Sequence, residues 1–198
     1  MHHVVEEVVL EYTQHDLAEW KAGNREQWLK GSVPSHVRNQ PSHHFGEYFA
    51  LTHYQGRGWN GYRFYALGTW EPTSLKLQEG RDALIRCFGQ EKINSFQKLR
   101  ISCGRQDGKG EPDLFLFHPD GRTLFLEVKK ERDKVSVEQF ECLAQIRSTL
   151  KAEIGIVYLA IAGSHYKPKR YEFDLFAHVG RRADAQCSSE LPSAAAEH

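Results

Sequence analysis

The chain has 198 residues, with 26 basic and 26 acidic side chains and therefore a formal net charge of zero. This length is enough for one domain with a substantial core, and the charge balance argues against a global positive field that attracts nucleic acid. The four cysteines form no CxxC pair, so neither a cysteine-based zinc site nor a disulfide framework is expected. With no signal-peptide core and no apolar run of membrane-spanning length, we expect a cytoplasmic protein without a membrane partner.

The first part of the chain is predicted to be helical. The apolar residues between positions 4 and 12 recur at helical spacing, and Asp16 is a candidate cap for a second helix that runs to Leu29. A break containing glycine and proline follows, and then a polar, loop-like stretch. We therefore assign residues 1–42 to an N-terminal helical appendage.

Two helical regions are predicted on either side of a short strand. Residues 45–54 have an amphipathic helical pattern and carry Glu47 in the first turns. Residues 62–67 are rich in aromatic side chains, which favours a strand. Residues 75–99 show helical periodicity again, and Gly89 interrupts it, which is compatible with two helices.

A β-hairpin is predicted at the centre of the chain. Residues 113–117 and 123–129 are both strand-like, and the sequence His-Pro-Asp-Gly at 118–121 is a turn signal between them. Pairing of the two strands brings Asp113 level with Glu127. A glycine-rich, polar approach precedes the hairpin.

The second hairpin strand carries charge on one face only. Successive strand side chains point to opposite faces, so Glu127 and Lys129 share a face while Val128 points away with the other apolar residues. Two carboxylates, those of Asp113 and Glu127, are thus expected to converge beside an ammonium group. A Glu-x-Lys strand end is more often a solvated charge pair, but the preceding Pro-Asp, entering a strand from a glycine-rich loop, favours the functional interpretation.

The sequence after the hairpin predicts a crossover helix between parallel strands and a C-terminal tail. A helix over 136–150 and a continuous apolar strand over 154–161 indicate a right-handed connection onto a parallel neighbour. Residues 164–182 are basic and aromatic, and residues 183–198 are small and polar, which predicts a disordered tail. The fold class is therefore α/β, a mixed β-sheet flanked by helices.

The carboxylate pair suits a hard divalent cation. Magnesium prefers oxygen ligands and retains several waters, so Asp113, Glu127 and the main-chain carbonyl of Val128 are sufficient when a substrate phosphate supplies the rest. Such an ion polarises a phosphate and activates a bound water, which Lys129 is placed to hold or deprotonate. The pattern therefore indicates metal-dependent cleavage of a phosphodiester.

Three segments stand out: GEPDLF at 110–115, FLEVK at 125–129, and DKVS at 133–136 with Gln139. Together they resemble the VRR-NUC family, a branch of the PD-(D/E)XK nuclease superfamily. The resemblance is strongest over residues 110–160. It implies a restriction-endonuclease-like nuclease domain, which we place at residues 43–182. It also implies Mg²⁺-dependent cleavage of DNA, with Mn²⁺ as a substitute, on branched or flap structures in repair or recombination.

The resemblance also implies a glutamate on a helix ahead of the first strand. The segment GEYFAL at 46–51 matches that element, so a catalytic and metal-binding role is carried over to Glu47. Glu71 and Glu79 lie nearer the hairpin in sequence and remain alternatives. The bland interpretation of Glu47 is a carboxylate favoured by a helix N-terminus.

Gln139 has two interpretations. Ser136 and Gln139 have the spacing of a capping box, in which the glutamine binds the Ser136 amide. The family resemblance instead implies a position near the catalytic centre. The two roles are compatible.

DNA contacts are expected to be local and electrostatic. The candidate phosphate-binding residues form one group after the catalytic strand and a second near the C-terminus: Lys130, Arg132, Lys134, Lys167, Lys169 and Arg170. For the second group a solvated basic loop is an equal alternative. Three histidines, His43, His44 and His53, are more readily interpreted as surface or packing residues than as a soft-metal site.

The main functional hypothesis is a metal-dependent DNA endonuclease that uses four charged residues, Glu47, Asp113, Glu127 and Lys129. One alternative is a catalytically silent module that binds branched nucleic acid or a partner protein. Another is an RNA-directed nuclease of the same fold. Small members of the resembled family also suggest a homodimer.

Overall fold

The computed structural model describes residues 2–29, 37–38, 43–68, 71–105, 108–131 and 133–174. The strands are β1 (His2–Tyr12), β2 (Asn60–Tyr62), β3 (Leu114–Phe117), β4 (Thr123–Lys130), β5 (Glu153–Ile161) and β6 (Arg170–Asp174). The helices are α1 (Gln14–Ala22), α2 (Phe45–Gln55), α3 (Leu75–Phe88), α4 (Gln90–Ser102) and α5 (Val137–Thr149). Within these ranges, no helix has the length and apolarity needed to cross a membrane.

The strands form one six-stranded mixed sheet in the order β2-β3-β4-β5-β1-β6. The three central strands β4, β5 and β1 are parallel, whereas β2, β3 and β6 pair antiparallel with their neighbours. The predicted hairpin is β3–β4, and the predicted crossover runs from β4 through α5 to the parallel strand β5. The α/β fold class is confirmed.

The helical prediction for the N-terminus is wrong for residues 2–12, which form β1. This strand lies between β5 and β6, and the pair Glu7 and Ile156 lies in the β1–β5 register. Both faces of the strand are covered in part, so its apolar residues do not simply alternate, and their spacing also fits a helix. The run of β-branched valines favours the strand. The first residues of the predicted appendage therefore belong to the sheet, while the boundary at residue 42 stays a prediction.

The helix that follows is shorter than predicted. Thr13, not Asp16, is the N-cap of α1, and the two residues form a reciprocal capping box: the Asp16 amide donates to Thr13 Oγ1 at 3.0 Å, and the Thr13 amide donates to Asp16 Oδ2 at 2.8 Å. Gly23, with φ of 98°, ends the helix, so the prediction of a helix up to Leu29 is wrong beyond Ala22.

The next elements agree more closely with the pattern. Helix α2 matches its predicted range, and Gly89 divides the long helical region into α3 and α4. The aromatic strand predicted over 62–67 is wrong in its bounds, because only residues 60–62 pair with β3. The chain leaves the sheet at Arg63, and Ala66 has a φ of 48°, which no strand adopts.

Two apolar layers cover the sheet. Leu124 and Leu126 of β4 pack in a cluster with residues of α1 and α2, such as Trp20 and Phe45. Phe125 packs on the opposite side with residues of α3, α4 and α5. This is the division of β4 into two faces that the alternation predicts. Residues 183–198 lie outside the described residues, so the predicted disordered tail stays a prediction.

Candidate active site

The residues predicted to be catalytic line one cleft of about 310 Å³ at the junction of β3, β4, α2 and α5. Its lining residues are His43, His44, Gly46, Glu47, Asp113, Glu127, Val128, Lys129, Lys130, Asp133 and Gln139. The structure therefore brings together the five predicted catalytic residues and the predicted metal-binding residue Val128. Their catalytic roles stay predictions.

The hairpin register positions Asp113. Leu114 pairs with Leu126, so Asp113 lies just before β3, beside the catalytic segment of β4. The Val128 amide donates a hydrogen bond to Asp113 Oδ2 at 2.8 Å. The Asp113 side chain thus accepts a main-chain hydrogen bond of β4 just beyond the end of β3, and this bond orients the carboxylate.

Glu127 is buried, with 1% of its surface exposed. Its Oε1 atom accepts hydrogen bonds from Lys129 Nζ at 2.8 Å and from Gln139 Nε2. Among the described residues, no donor reaches its Oε2 atom, which is also buried. A buried carboxylate oxygen without a donor is costly for a protein to maintain, so it is a good candidate ligand for a cation.

The two carboxyl groups favour a proton or a cation. Burial and then the charge of Asp113 raise the pKa of Glu127, and these effects exceed the opposing effect of Lys129. Burial also raises the pKa of Asp113, despite the hydrogen bond from the Val128 amide. Two close, desolvated carboxylates disfavour the doubly ionised state unless positive charge is added.

Gln139 performs both of the roles considered for it. Its Oε1 atom accepts a hydrogen bond from the Ser136 amide at 2.8 Å, and its own amide donates to Ser136 Oγ at 3.3 Å. Its Nε2 atom donates to Glu127. The capping box at the start of α5 therefore holds a side chain that also donates to the Glu127 carboxylate.

Glu47 projects from the first turn of α2 into the same cleft. Its Oε1 atom lies 3.0 Å from Arg63 Nη2 and 3.2 Å from His44 Nδ1. Burial opposes ionisation of Glu47, but the Arg63 charge and local hydrogen bonds dominate and lower its pKa. The competitors Glu71 and Glu79 are exposed and do not line the cleft.

The fit to a divalent ion is partial in this conformation. No group of three or more His, Cys, Asp or Glu side chains within the described ranges is arranged to hold a metal ion by itself. Asp113 and Glu127, including the Oε2 atom without a donor, provide the two carboxylates that a magnesium ion needs when waters and phosphate complete its shell. The carboxylate of Glu47 is held by Arg63 instead.

The first group of basic residues lies at the exit of the catalytic strand. Lys130 lines the cleft, and Lys134 is exposed. Arg132 lies outside the described residues. Of the two described members of this group, Lys130 alone lines the cleft with the carboxylates.

The second group lies on a segment that the buried Glu7 anchors. Tyr166 Oη, Tyr171 Oη and the Lys169 amide donate to the Glu7 carboxylate at 2.7, 2.7 and 2.8 Å. Lys167 and Lys169 are exposed on this segment. Arg170 pairs with Glu172 at 3.0 Å and with Glu6 at 3.6 Å. Arg181 and Arg182, at the end of the basic and aromatic stretch 164–182, lie outside the described residues.

Tyrosine stacking links that segment to the catalytic strand. Tyr166 stacks on Tyr158 with ring centroids 3.6 Å apart, and Tyr158 is paired with Lys129 in the β4–β5 register. The Lys169 ammonium lies 5.9 Å from the Tyr166 ring. A basic surface can therefore extend from the cleft across the ends of the central strands.

Arg63 is the residue that sequence reasoning missed. Its guanidinium contacts Glu47 and His44 and lies over the rings of Tyr48 and Phe64, at 5.1 and 4.9 Å from their centroids. The available signal was a charged residue inside a predicted apolar strand. A charged side chain in such a segment requires a partner of opposite charge, and Glu47 of α2 provides it.

The chain was compared with protein-family models, curated sequences and solved structures. A family model described as the VRR-NUC domain matches residues 59–158. No curated protein sequence matches the chain. A crystal structure of paFAN1 bound to 5′ flap DNA with a one-nucleotide flap and a gap is similar, with a TM-score of 0.35 and 15% identity over 81% of this chain. A second, with a two-nucleotide flap, has a TM-score of 0.37 and 16% identity over 81% of this chain. The chain spans 32% of the paFAN1 chain in each case.

Proposed function

The chain belongs to the VRR-NUC family, and from this premise we propose that it is a divalent-metal-dependent DNA endonuclease. The observation that carries the proposal is the buried carboxylate of Glu127 and the partly buried carboxylate of Asp113 beside Lys129, with Glu127 Oε2 free of any donor among the described residues. We further propose selectivity for branched or flap DNA in repair or recombination, on the basis of the family resemblance alone.

The residues that would hold the ion are Asp113, Glu127 and the main-chain carbonyl of Val128, with Glu47 joining them. Mg²⁺, or Mn²⁺ in its place, supplies Lewis-acid activation of a phosphate and lowers the pKa of a bound water. Donor chemistry supports this assignment, because hard cations prefer carboxylate and carbonyl oxygens.

The chain itself orients the reacting groups. The Val128 amide fixes Asp113, and Gln139 and Lys129 together fix Glu127 Oε1. Lys129 Nζ then lies beside the carboxylates, where it can hold an attacking water or a non-bridging phosphate oxygen. We expect Lys129 to contribute mainly to the rate of cleavage rather than to DNA affinity.

Phosphate binding along the DNA falls to basic side chains outside the cleft. We propose this role for Lys130, Lys134, Lys167 and Lys169, and for Arg132 from its sequence position. Arg170 is the weakest candidate, because two exposed carboxylates already share its charge. These contacts are independent of sequence and sensitive to salt.

The test is a cleavage panel with labelled flap, junction, duplex and single-stranded DNA and matched RNA, each with Mg²⁺, Mn²⁺ or EDTA. Lys129→Ala and Asp113→Asn should abolish cleavage while DNA binding persists. Lys92→Ala, an exposed lysine on α4, should leave cleavage unchanged. Absence of cleavage with either metal, or cleavage by Lys129→Ala at the parental rate, contradicts the proposal.

The other outcomes identify the alternatives. Tight junction binding without metal-dependent turnover indicates a silent binding module, and preferential cleavage of RNA indicates an RNA-directed enzyme. A homodimer is a separate proposal, for which sedimentation velocity of the full chain is the direct measurement.

A further inference from the structure

We propose that Arg63 couples binding of the divalent ion to binding of DNA, by exchanging the Glu47 carboxylate for a phosphate oxygen of the substrate. This inference rests on the proposed nuclease function and concerns its regulation. In the DNA-free protein, the guanidinium holds the carboxylate that the ion needs. In the complex, the Arg63 guanidinium pairs with a phosphate oxygen, and the Glu47 carboxylate becomes able to bind the ion.

Arg63 is built into the wall of the site. Its side chain is 10% exposed, and its Nη2 atom lies 3.0 Å from Glu47 Oε1 and also contacts His44. The guanidinium carbon lies over the rings of Tyr48 and Phe64, at 5.1 and 4.9 Å from their centroids. An arginine packed on aromatic rings keeps its charge and its fork of donors while losing few degrees of freedom.

The position of Arg63 gives it access to a substrate. It lines a second cavity of about 230 Å³ together with Phe64, Glu111 and Asp113. Asp113 also lines the cleft that holds Glu47 and Glu127, so it belongs to the walls of both cavities. A phosphate that a cation holds at Asp113 would therefore lie beside a cavity whose wall includes Arg63.

Charge explains why the exchange has to be coupled. A cation that approaches Glu47 meets the positive charge of Arg63 on the same carboxylate oxygen, which weakens its binding. A phosphate that pairs with Arg63 removes this competition, since guanidinium binds phosphate through two parallel hydrogen bonds. Each ligand therefore increases the affinity for the other by the same factor.

The experiment measures both affinities in both states. Ca²⁺ replaces Mg²⁺ to slow turnover, and its affinity is measured by calorimetry with and without a 5′-flap duplex. Affinity for the labelled duplex is measured by anisotropy with EDTA and with Ca²⁺. In the parent we expect DNA to tighten Ca²⁺ binding about 5- to 150-fold, the range typical of coupled sites.

Two variants have opposite expected effects. Arg63→Gln should bind Ca²⁺ several-fold more tightly than the parent without DNA, bind DNA more weakly, and lose most of the coupling. Glu47→Gln should bind DNA more tightly in EDTA, because it releases the guanidinium, and should also lose the coupling. If Arg63 only supports the fold, neither gain in affinity occurs and both ligands bind more weakly.

A matched control is available on the hairpin turn. Arg122 also pairs with a carboxylate, Asp120 at 2.8 Å, and lies over an aromatic ring, Trp59 at 5.0 Å, but does not line the cleft. Arg122→Gln should retain the parental coupling. If Arg63→Gln does not fold, as judged by circular dichroism, Glu47→Gln and Arg63→Lys decide the matter, since Arg63→Lys should keep part of the coupling through its charge.

The failures are distinguishable. If the parent binds neither Ca²⁺ nor DNA and cleaves no substrate, the proposed function itself is wrong. If the parent cleaves DNA but Arg63→Gln and Glu47→Gln keep its coupling factor, only the role assigned to Arg63 is wrong.

Discussion

Gly110 packs directly against the main chain of Glu138 in the first turn of α5. A Cβ atom at Gly110 would lie 2.4 Å from the Glu138 carbonyl oxygen and 3.0 Å from the Gln139 nitrogen, and φ at Gly110 is 84°. The loop that delivers Asp113 and the helix that delivers Gln139 therefore touch through a glycine. Two elements of the candidate site that are distant in sequence therefore meet at this backbone contact.

Replacing Gly110 should reduce the cleavage rate by more than the loss of folding stability accounts for. We expect Gly110→Ala to lose about 1–2 kcal/mol from the left-handed conformation alone, and more from the contact with Glu138. Cleavage should fall because either Asp113 or Gln139 moves. Urea unfolding and single-turnover cleavage measure the two effects.

Gly104 provides the control, because its φ is 71° and an added Cβ would meet no atom within 4 Å. Gly104→Ala should show only the conformational cost and retain parental cleavage. Equal losses of cleavage in the two variants would show that the Gly110 contact has no special role.

Gln139 and Ser136 allow the cap of α5 to be separated from the catalytic centre. Ser136→Ala removes one half of the capping box and should cost about 1 kcal/mol of unfolding free energy. Gln139→Ala removes the other half and also the hydrogen bond to Glu127. We expect similar losses of stability, but a further 10- to 100-fold loss of metal affinity or cleavage only for Gln139→Ala. Chemical denaturation with metal titration tests the difference, and a parental metal affinity in Gln139→Ala would contradict it.

Local patterns were sufficient to predict the hairpin and the crossover. The alternation in β4, the turn sequence before it and the capping box of α5 are each contained in a few neighbouring residues. They fix which face carries Glu127, and pairing of the two strands then places Asp113 beside it. The capping box places Gln139 at the start of α5, so the glutamine and the two hairpin carboxylates line one cleft.

What the sequence could not reveal depends on partners far along the chain. β1 is a strand because it pairs with β5, as Glu7 does with Ile156, and no local pattern contains that contact. Arg63 belongs to the site because Glu47 and Tyr48 on another element receive it. In β1 this pairing outweighs the helical spacing of the apolar residues and agrees with the strand propensity of the valines.

The buried carboxyl pair makes a pH prediction for the metal-free protein. The pKa of Glu127 is raised above its ordinary value of 4.5 by burial and by Asp113. Between the ordinary and the raised pKa the folded state binds more protons than the unfolded state, so stability falls as pH rises through this window. In EDTA, the melting temperature should therefore be higher near pH 5 than at pH 8.

Glu127→Gln isolates this contribution. The amide carries no charge, so we expect a gain on the order of 1–3 kcal/mol over the parent at pH 8 and little gain at pH 5. Burial also raises the pKa of Glu111 to about 7. Its contribution to the pH dependence of stability is the same in the parent and in the variant. Mg²⁺ should stabilise the parent and not the variant. A variant less stable than the parent at pH 8 in EDTA would contradict the electrostatic origin.

The anchored basic segment makes a prediction about DNA affinity. Lys167→Ala and Lys169→Ala should each weaken binding in EDTA and reduce the slope of log affinity against log salt by about 1, since each removes one phosphate contact. Arg170→Ala should change the slope less, because Glu6 and Glu172 already pair with its side chain. Glu7→Gln should weaken binding without removing any positive charge, because the carboxylate that holds the Lys169 amide and two tyrosines is lost. Anisotropy titrations over a range of salt concentrations measure these slopes. Unchanged slopes for both lysine variants would show that this segment is a solvated loop that DNA does not contact.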